Sequence, residues 1–211
     1  KHIPFEHAAL FGCGVVTGVG AVINTASARE EDSIAIVGLG GVGLSALLAS
    51  IAIGSKKTIA IDLSNEKLNL AHELGADHIL NPNDANFLER VRDLTSGGAN
   101  IAIETAGSGR ALKTAYDITR RGGTTVAAGM PGPKVDITLS HLSIAAEERI
   151  IKGSYMGSCI AHRDIPKYLD MFQTGKLPVD RLLSRKITFE DLNAAMDRLD
   201  DAKTVREVLI P

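Results

Sequence analysis

Four glycines stand within six positions in the run Gly38-Leu39-Gly40-Gly41-Val42-Gly43, and Asp62 follows Gly43 by 19 positions. That spacing suits the grip on a dinucleotide. Gly38 permits a tight turn, Gly40 lets the backbone approach a pyrophosphate with no Cβ in the way, and Gly43 lets a helix pack closely on a strand. A helix opening at Gly41 and Val42 offers free N–H groups and the positive end of its dipole to the phosphates. A carboxylate at Asp62 accepts protons from both ribose hydroxyls and repels a 2′-phosphate, which predicts NAD in preference to NADP. A glycine turn in some other α/β protein would share the loop alone. A mononucleotide phosphate loop is excluded, because Leu44 stands where such a loop needs lysine.

The remaining chemistry-bearing side chains are scattered. Cys13 and Cys159 lie 146 positions apart with no paired-cysteine motif, and a lone cysteine in a glycine-rich apolar segment reads by itself as a buried, inert thiol. His2, His7, His72, His78, His141 and His162 share no metal-ligand spacing, and His72-Glu73 has no second histidine four positions after the first. All six are assigned to surface or packing. No G-x-S-x-G nucleophile turn and no acidic calcium loop occur. On residue type alone Lys67 and Arg206 are surface cations.

Positioning the loop requires alternating elements, and the patterning predicts them. Ser33 to Val37 is a short β-branched run, followed past the glycines by Leu44, Leu47, Leu48 and Ile51 at helical spacing. Thr58 to Ile61 is a second strand, and Asn65 to Leu74 a helix stopped by Gly75. His78 to Leu80 is a third strand, and Asp84 is placed to cap a helix carrying Phe87, Leu88, Val91 and Leu94. Asn100 to Glu104, a helix over Arg110 to Thr119, Thr124 to Ala128, and a strand near Arg149 to Met156 continue the alternation. The fold class is therefore α/β, a doubly wound parallel sheet of the Rossmann type with helices on both faces. After Gly157 the texture changes to helices around Ile165 to Gln173 and Phe189 to Leu199 and a last strand near Val205 to Ile210, with a charged, solvated face.

Composition narrows the classes. The 211 residues are 45% hydrophobic and 23% charged, inside the globular range and outside the disordered and fibrous ones. Lys plus Arg is 23 against Asp plus Glu at 25, with no charge run, so no nucleic-acid partner is expected. The charge-free stretches Ala8 to Ala28 and Ser33 to Ser55 are long enough for a bilayer, and the first holds Gly14-x-x-x-Gly18, but both are studded with glycine and hydroxyl residues. They read as a buried strand, turn and helix, and no membrane partner is expected. With no sequon and no cysteine framework the expected location is cytoplasmic. The first residue is Lys, so the chain is expected to be a piece of a longer protein.

Taken in order, Gly12-Cys13-Gly14, Thr17-Gly18-x-Gly20, the loop at 38–43, Asp62 with Lys67, Val126-Ala127-Ala128-Gly129-Met130-Pro131 and Thr204-Val205-Arg206 resemble the zinc-dependent medium-chain alcohol dehydrogenases. Within that family the chain looks most like the class III branch, which oxidises hydroxymethyl adducts of small thiols, and its bacterial relatives. The resemblance implies that residues 1–14 end a GroES-like catalytic domain, that 15–157 form the NAD-binding domain, and that 158–211 return to the incomplete catalytic domain. It implies that Cys13 is one ligand of a catalytic zinc whose other ligands, like the proton relay, lie upstream. Thr17 would pack by the nicotinamide ring, Lys67 reach the adenosine ribose and Arg206 the pyrophosphate. Backbone groups of Ala128, Ser154 and Met156 would hold the carboxamide, Met130 and Met156 would border the substrate pocket, and Cys159 is structural. The implied chemistry is interconversion of a small alcohol and its aldehyde by zinc-assisted hydride transfer to NAD, in a homodimer or a tetramer built from dimers, with the 211-residue piece inactive alone. A non-enzymatic NAD(H) sensor shares every glycine and Asp62. A zinc-independent quinone or enoyl reductase would use NADPH, against Asp62.

Overall fold

Local sequence preferences set up most of the elements in the computed structural model, which describes residues 3–198 and 204–210. A short helix α1 (Phe5–Ala8) and a 3-10 turn at Ala9–Gly12 lead into α2 (Gly14–Gly20), prolonged by a π-helical turn at Ala21–Thr25. Then strands and helices alternate: β1 (Ser33–Val37), α3 (Gly41–Ala52), β2 (Lys57–Ile61), α4 (Asn65–Glu73), β3 (His78–Leu80), α5 (Phe87–Thr95), β4 (Ala99–Glu104), α6 (Gly109–Ile118), β5 (Thr119–Ala127), α7 (His141–Ala146) and β6 (Ile150–Gly153). Finally come α8 (Ala161–Gln173), β7 (Leu183–Ile187), α9 (Leu192–Asp197) and β8 (Arg206–Leu209), with β7 and β8 paired in parallel.

The six-stranded sheet runs β3-β2-β1-β4-β5-β6 with every neighbouring pair parallel, the doubly wound order whose ligand crevice opens where the strand sequence reverses. Here that point lies between β1 and β4. Val37 pairs with Ile61 on one side and Glu104 on the other, so Gly38, Asp62 and Thr105 leave the sheet at one height. Side chains alternate across the pleat: Ile34 and Ile36 enter one apolar core with α2, α3 and α8, and Ala35 and Val37 enter the other with β2 and α5. Leu44, Leu47 and Leu48 of α3 are at most 2% exposed, each such burial contributing roughly 1.5–3 kcal/mol before conformational entropy is counted. Tyr168, Leu177, Val179 and Leu182 belong to the same core as α3, so the segment following Gly157 packs on the sheet's own helices. Asp164, buried, holds that junction by accepting from Asn24 at 3.2 Å, from the Ile160 N–H at 2.8 Å and from Arg163 at 2.6 Å.

No single helix among the described residues is long and apolar enough to cross a membrane, and the apolar N-terminal stretch bends by 58° between Gly12 and Gly14. Four expectations are corrected. The strand expected to reach Met156 stops at Gly153, because Met156, Gly157 and Ser158 all adopt positive φ; at Gly157 the turn is pressed so closely onto Gly20 that a Cβ would strike backbone. Asp84 does not cap α5: the residue before the helix is Asn86 at φ 63°, and the Asp84 carboxylate instead meets Arg90 at 3.3 Å. The helix expected from Phe189 begins at Leu192, since Thr188 and Asp191 form a turn, with the Thr188 N–H donating to the Asp191 carboxylate at 3.3 Å; Leu199 lies outside the described residues. The last strand is shorter than expected, Arg206–Leu209.

Candidate functional site

Gly38 takes φ +96° and Gly40 is extended before α3. The two glycines serve different ends. A Cβ on Gly43 would collide with the Gly38 carbonyl and stand 2.7 Å from Thr105 Oγ1, so Gly43 is a packing requirement; a Cβ on Gly40 would meet nothing within 4 Å. Open space at an extended glycine leaves room for something outside the chain. The N–H groups of Gly41, Val42 and Gly43 open α3 with no side-chain cap, as an anion site at a helix N-terminus requires. Behind them α2 presses on α3, and a Cβ on Gly18 would strike the Val42 carbonyl.

Asp62 is held in place by the loop it serves. Its Oδ2 accepts the Leu39 N–H at 2.7 Å and its Oδ1 accepts the Ser64 N–H at 2.9 Å. The carboxylate lines a cleft of about 240 Å³ at the carboxyl ends of the strands, together with Gly38, Lys67, Ala106, Ser108 and Arg110. Lys67 is therefore brought beside Asp62. The cleft has the apolar walls and convergent polar groups of a ligand site.

Arg206 arrives from the far end of the chain. A Cβ on Gly14 would overlap its guanidinium, and one on Gly41 its Nε and Cζ, so the side chain lies across the start of α3 at the point where phosphates would sit. Its neighbour Glu207 is clamped by Arg198 through two bonds of 3.0 and 2.9 Å, which fixes β8 and with it the base of Arg206. Planar forked donors of this kind suit phosphate oxygens.

On the other side of Arg206, Cys13 is exposed and shares a groove with Leu10, Gly14 and Arg206. Thr17 donates to the Cys13 carbonyl at 2.8 Å and lies 3.8 Å from the Met156 sulfur, so Cys13, Thr17 and Met156 adjoin. The N–H of Ala128 donates to the Glu104 carbonyl and that of Ser154 to the Ala127 carbonyl, both at 2.9 Å; these bonds fix the backbone of both residues at the ends of β5 and β6. The Ser154 hydroxyl bonds Thr25 at 2.8 Å.

Among the described residues no group of three His, Cys, Asp or Glu side chains could hold a metal ion. A zinc site needs three or four protein ligands, and Cys13 alone does not make one. His7 packs edge-on against Phe172, His78 is half-buried, and His72, His141 and His162 are exposed; His2 lies outside the described residues. Burial pushes the Cys159 thiol up, with the Asp164 charge adding to it, as fits an unreactive thiol. Sequence reasoning missed Glu104, Thr105 and Arg110. The available signal was Glu104 itself, a carboxylate ending an otherwise apolar strand.

The zinc-binding dehydrogenase family matches residues 41–174. The geraniol dehydrogenase of Castellaniella defragrans is 33% identical over 209 residues, which is 99% of this chain and 56% of that protein. The S-(hydroxymethyl)glutathione dehydrogenase of Paracoccus denitrificans is 29% identical over 98% of this chain and 57% of its own length. Among solved structures, the benzyl alcohol dehydrogenase of Acinetobacter calcoaceticus superposes with a TM-score of 0.95 at 31% identity, covering 99% of this chain and 57% of that one. The chain thus spans somewhat more than half the length of these relatives. A match to the family over most of the chain, on a sheet of the same architecture, means that the chain belongs to the zinc-binding dehydrogenases.

Proposed function

We propose that this chain binds NAD(H) and serves as the cofactor-holding part of an enzyme that interconverts alcohols and aldehydes. The observation that carries the reading is Arg206 lying across Gly14 and Gly41 at the uncapped start of α3, with Asp62 locked to the same loop by the Leu39 N–H. Phosphates would meet the α3 N–H groups and Arg206. The adenosine ribose would meet Asp62 and Lys67, and the carboxamide the backbone of Ala128, Ser154 and Met156, with Thr17 against the ring. NAD supplies the hydride acceptor; the chain's part is to bind it and present one face of the nicotinamide. Asp62 disfavours a 2′-phosphate by charge.

Cys13 would serve as one zinc ligand, and the described residues supply no set to complete the centre; the chain alone is therefore proposed not to turn over alcohols. The names of the geraniol, S-(hydroxymethyl)glutathione and benzyl alcohol dehydrogenases support small alcohols, including thiol hydroxymethyl adducts, as the substrates to try on a protein that completes the site.

The test is a titration of the chain with NADH and NADPH, followed by nicotinamide fluorescence, beside the Asp62→Gly variant. NADH should bind at least about tenfold more tightly, roughly 1.4 kcal/mol, and the variant should lose that margin. Equal affinities in the unmodified chain would refute the assignment of Asp62, and binding of neither nucleotide would refute the cofactor reading.

A further inference from the structure

Glu104 ends β4 as a carboxylate 2% exposed, and the reading above leaves it without a role. Its Oε1 accepts the Gly107 N–H at 2.5 Å and lies against Gly129. Its main-chain carbonyl accepts from Ala128 at 2.9 Å and Gly129 at 3.0 Å. One residue thus ties together two loops. The first, 105–109, brings Ala106 and Ser108 to the 240 Å³ cleft; the second, 128–131, carries the Ala128 backbone assigned above to the carboxamide.

The junction has no slack. A Cβ on Gly129 would stand 2.7 Å from Glu104 Oε1, and one on Gly107, at φ +69°, would stand 2.8 Å from the Met130 carbonyl oxygen. Burial pushes the Glu104 carboxyl up while backbone N–H groups around it oppose that shift.

We propose that Glu104 is a positioning residue that holds the adenosine-side loop and the nicotinamide-side loop at one separation, so that dinucleotide affinity depends on a side chain that does not line the cleft. The inference rests on the NAD(H) reading. A ligand that spans both loops gains from their being pre-set; a ligand confined to the first does not. NADH spans both, and ADP reaches only the adenosine and phosphate end.

Calorimetric titration of the unmodified chain, Glu104→Gln and Glu104→Ala with NADH and with ADP separates the two cases. The Gln amide keeps one acceptor for Gly107 but turns a donor against the other N–H groups. NADH affinity should fall about fivefold in Glu104→Gln and about tenfold or more in Glu104→Ala, the scale of one or two lost hydrogen bonds. ADP affinity should stay within about twofold. Equal losses for the two ligands would show general damage and overturn the proposal, as would unchanged NADH affinity. Should Glu104→Ala fail to fold, the isosteric Glu104→Gln decides alone. Failure of the unmodified chain to bind NADH would remove the cofactor reading instead, an outcome visible before any variant is made.

Discussion

The loop at Gly38–Gly43 and the loop at Gly12–Gly14 flank the same guanidinium, that of Arg206, yet they are built differently. In the first, the free N–H groups at the start of α3 and the Asp62 carboxylate come from one βαβ unit, and Asp62 is oriented by N–H groups of that unit and of the turn after it, Leu39 and Ser64. In the second, the Cys13 thiol is exposed, and no set of three metal-ligating side chains forms among the described residues. The difference teaches how two kinds of site are assembled. Phosphate recognition uses backbone N–H groups and a helix dipole, which a short local unit supplies for itself. A metal centre needs several soft or imidazole donors converging on one point, and the described residues around Cys13 supply no such set.

Three substitutions would sharpen or break this contrast. The largest effect is expected at Gly43, where even a methyl group meets the Gly38 carbonyl: Gly43→Ala should cost about 2–3 kcal/mol of stability by overpacking, read from urea unfolding. An unchanged midpoint would mean that the loop is loose and its geometry incidental. Next, Arg206→Ala removes a charged donor from the phosphate end and should weaken NADH about twentyfold, within the roughly 1.5–3 kcal/mol range of hydrogen bonds to charged groups, with little change in unfolding. If NADH affinity survives intact, Arg206 serves only β8. The smallest effect belongs to Cys13→Ser, which should leave NADH affinity within about twofold and stability within about 0.5 kcal/mol. A large loss of NADH binding there would show that the two loops form one site.

The sheet was legible in the sequence because its strands are short β-branched runs bounded by glycine, and because helical spacing resumes after each. The placement of Asp62 beside the glycine loop was legible for a related reason: it depends on distance along the chain. Chain ends of elements were read less well. Met156 looks like the continuation of a strand, and its positive φ belongs to a turn that packs at Gly157 on Gly20, far away in sequence. Arg206 looked like any surface cation, since its position is set by β8 pairing with β7, and Glu104 acquires meaning only when two loops close around it. The assignment of Cys13 to a metal came from family resemblance, since a lone thiol carries no metal-ligand spacing of its own.

The meeting of Gly20 with Gly157 also bears on the order of events when the chain is made. The segment 14–25 rests on the turn after β6: the Asn24 amide donates to the Gly157 carbonyl at 3.1 Å, and Lys152 donates to the Thr25 carbonyl at 3.1 Å. One side of its cover, unlike the side that α3 supplies, is thus synthesised more than 120 positions later. At typical elongation speeds that is a delay on the order of ten seconds, during which that side of a glycine-rich apolar stretch stays bare. Such distant closure slows folding, and it sets a hypothesis for nascent chains: protection of 14–25 against protease should rise only once residue 157 has emerged, and earlier protection would contradict it.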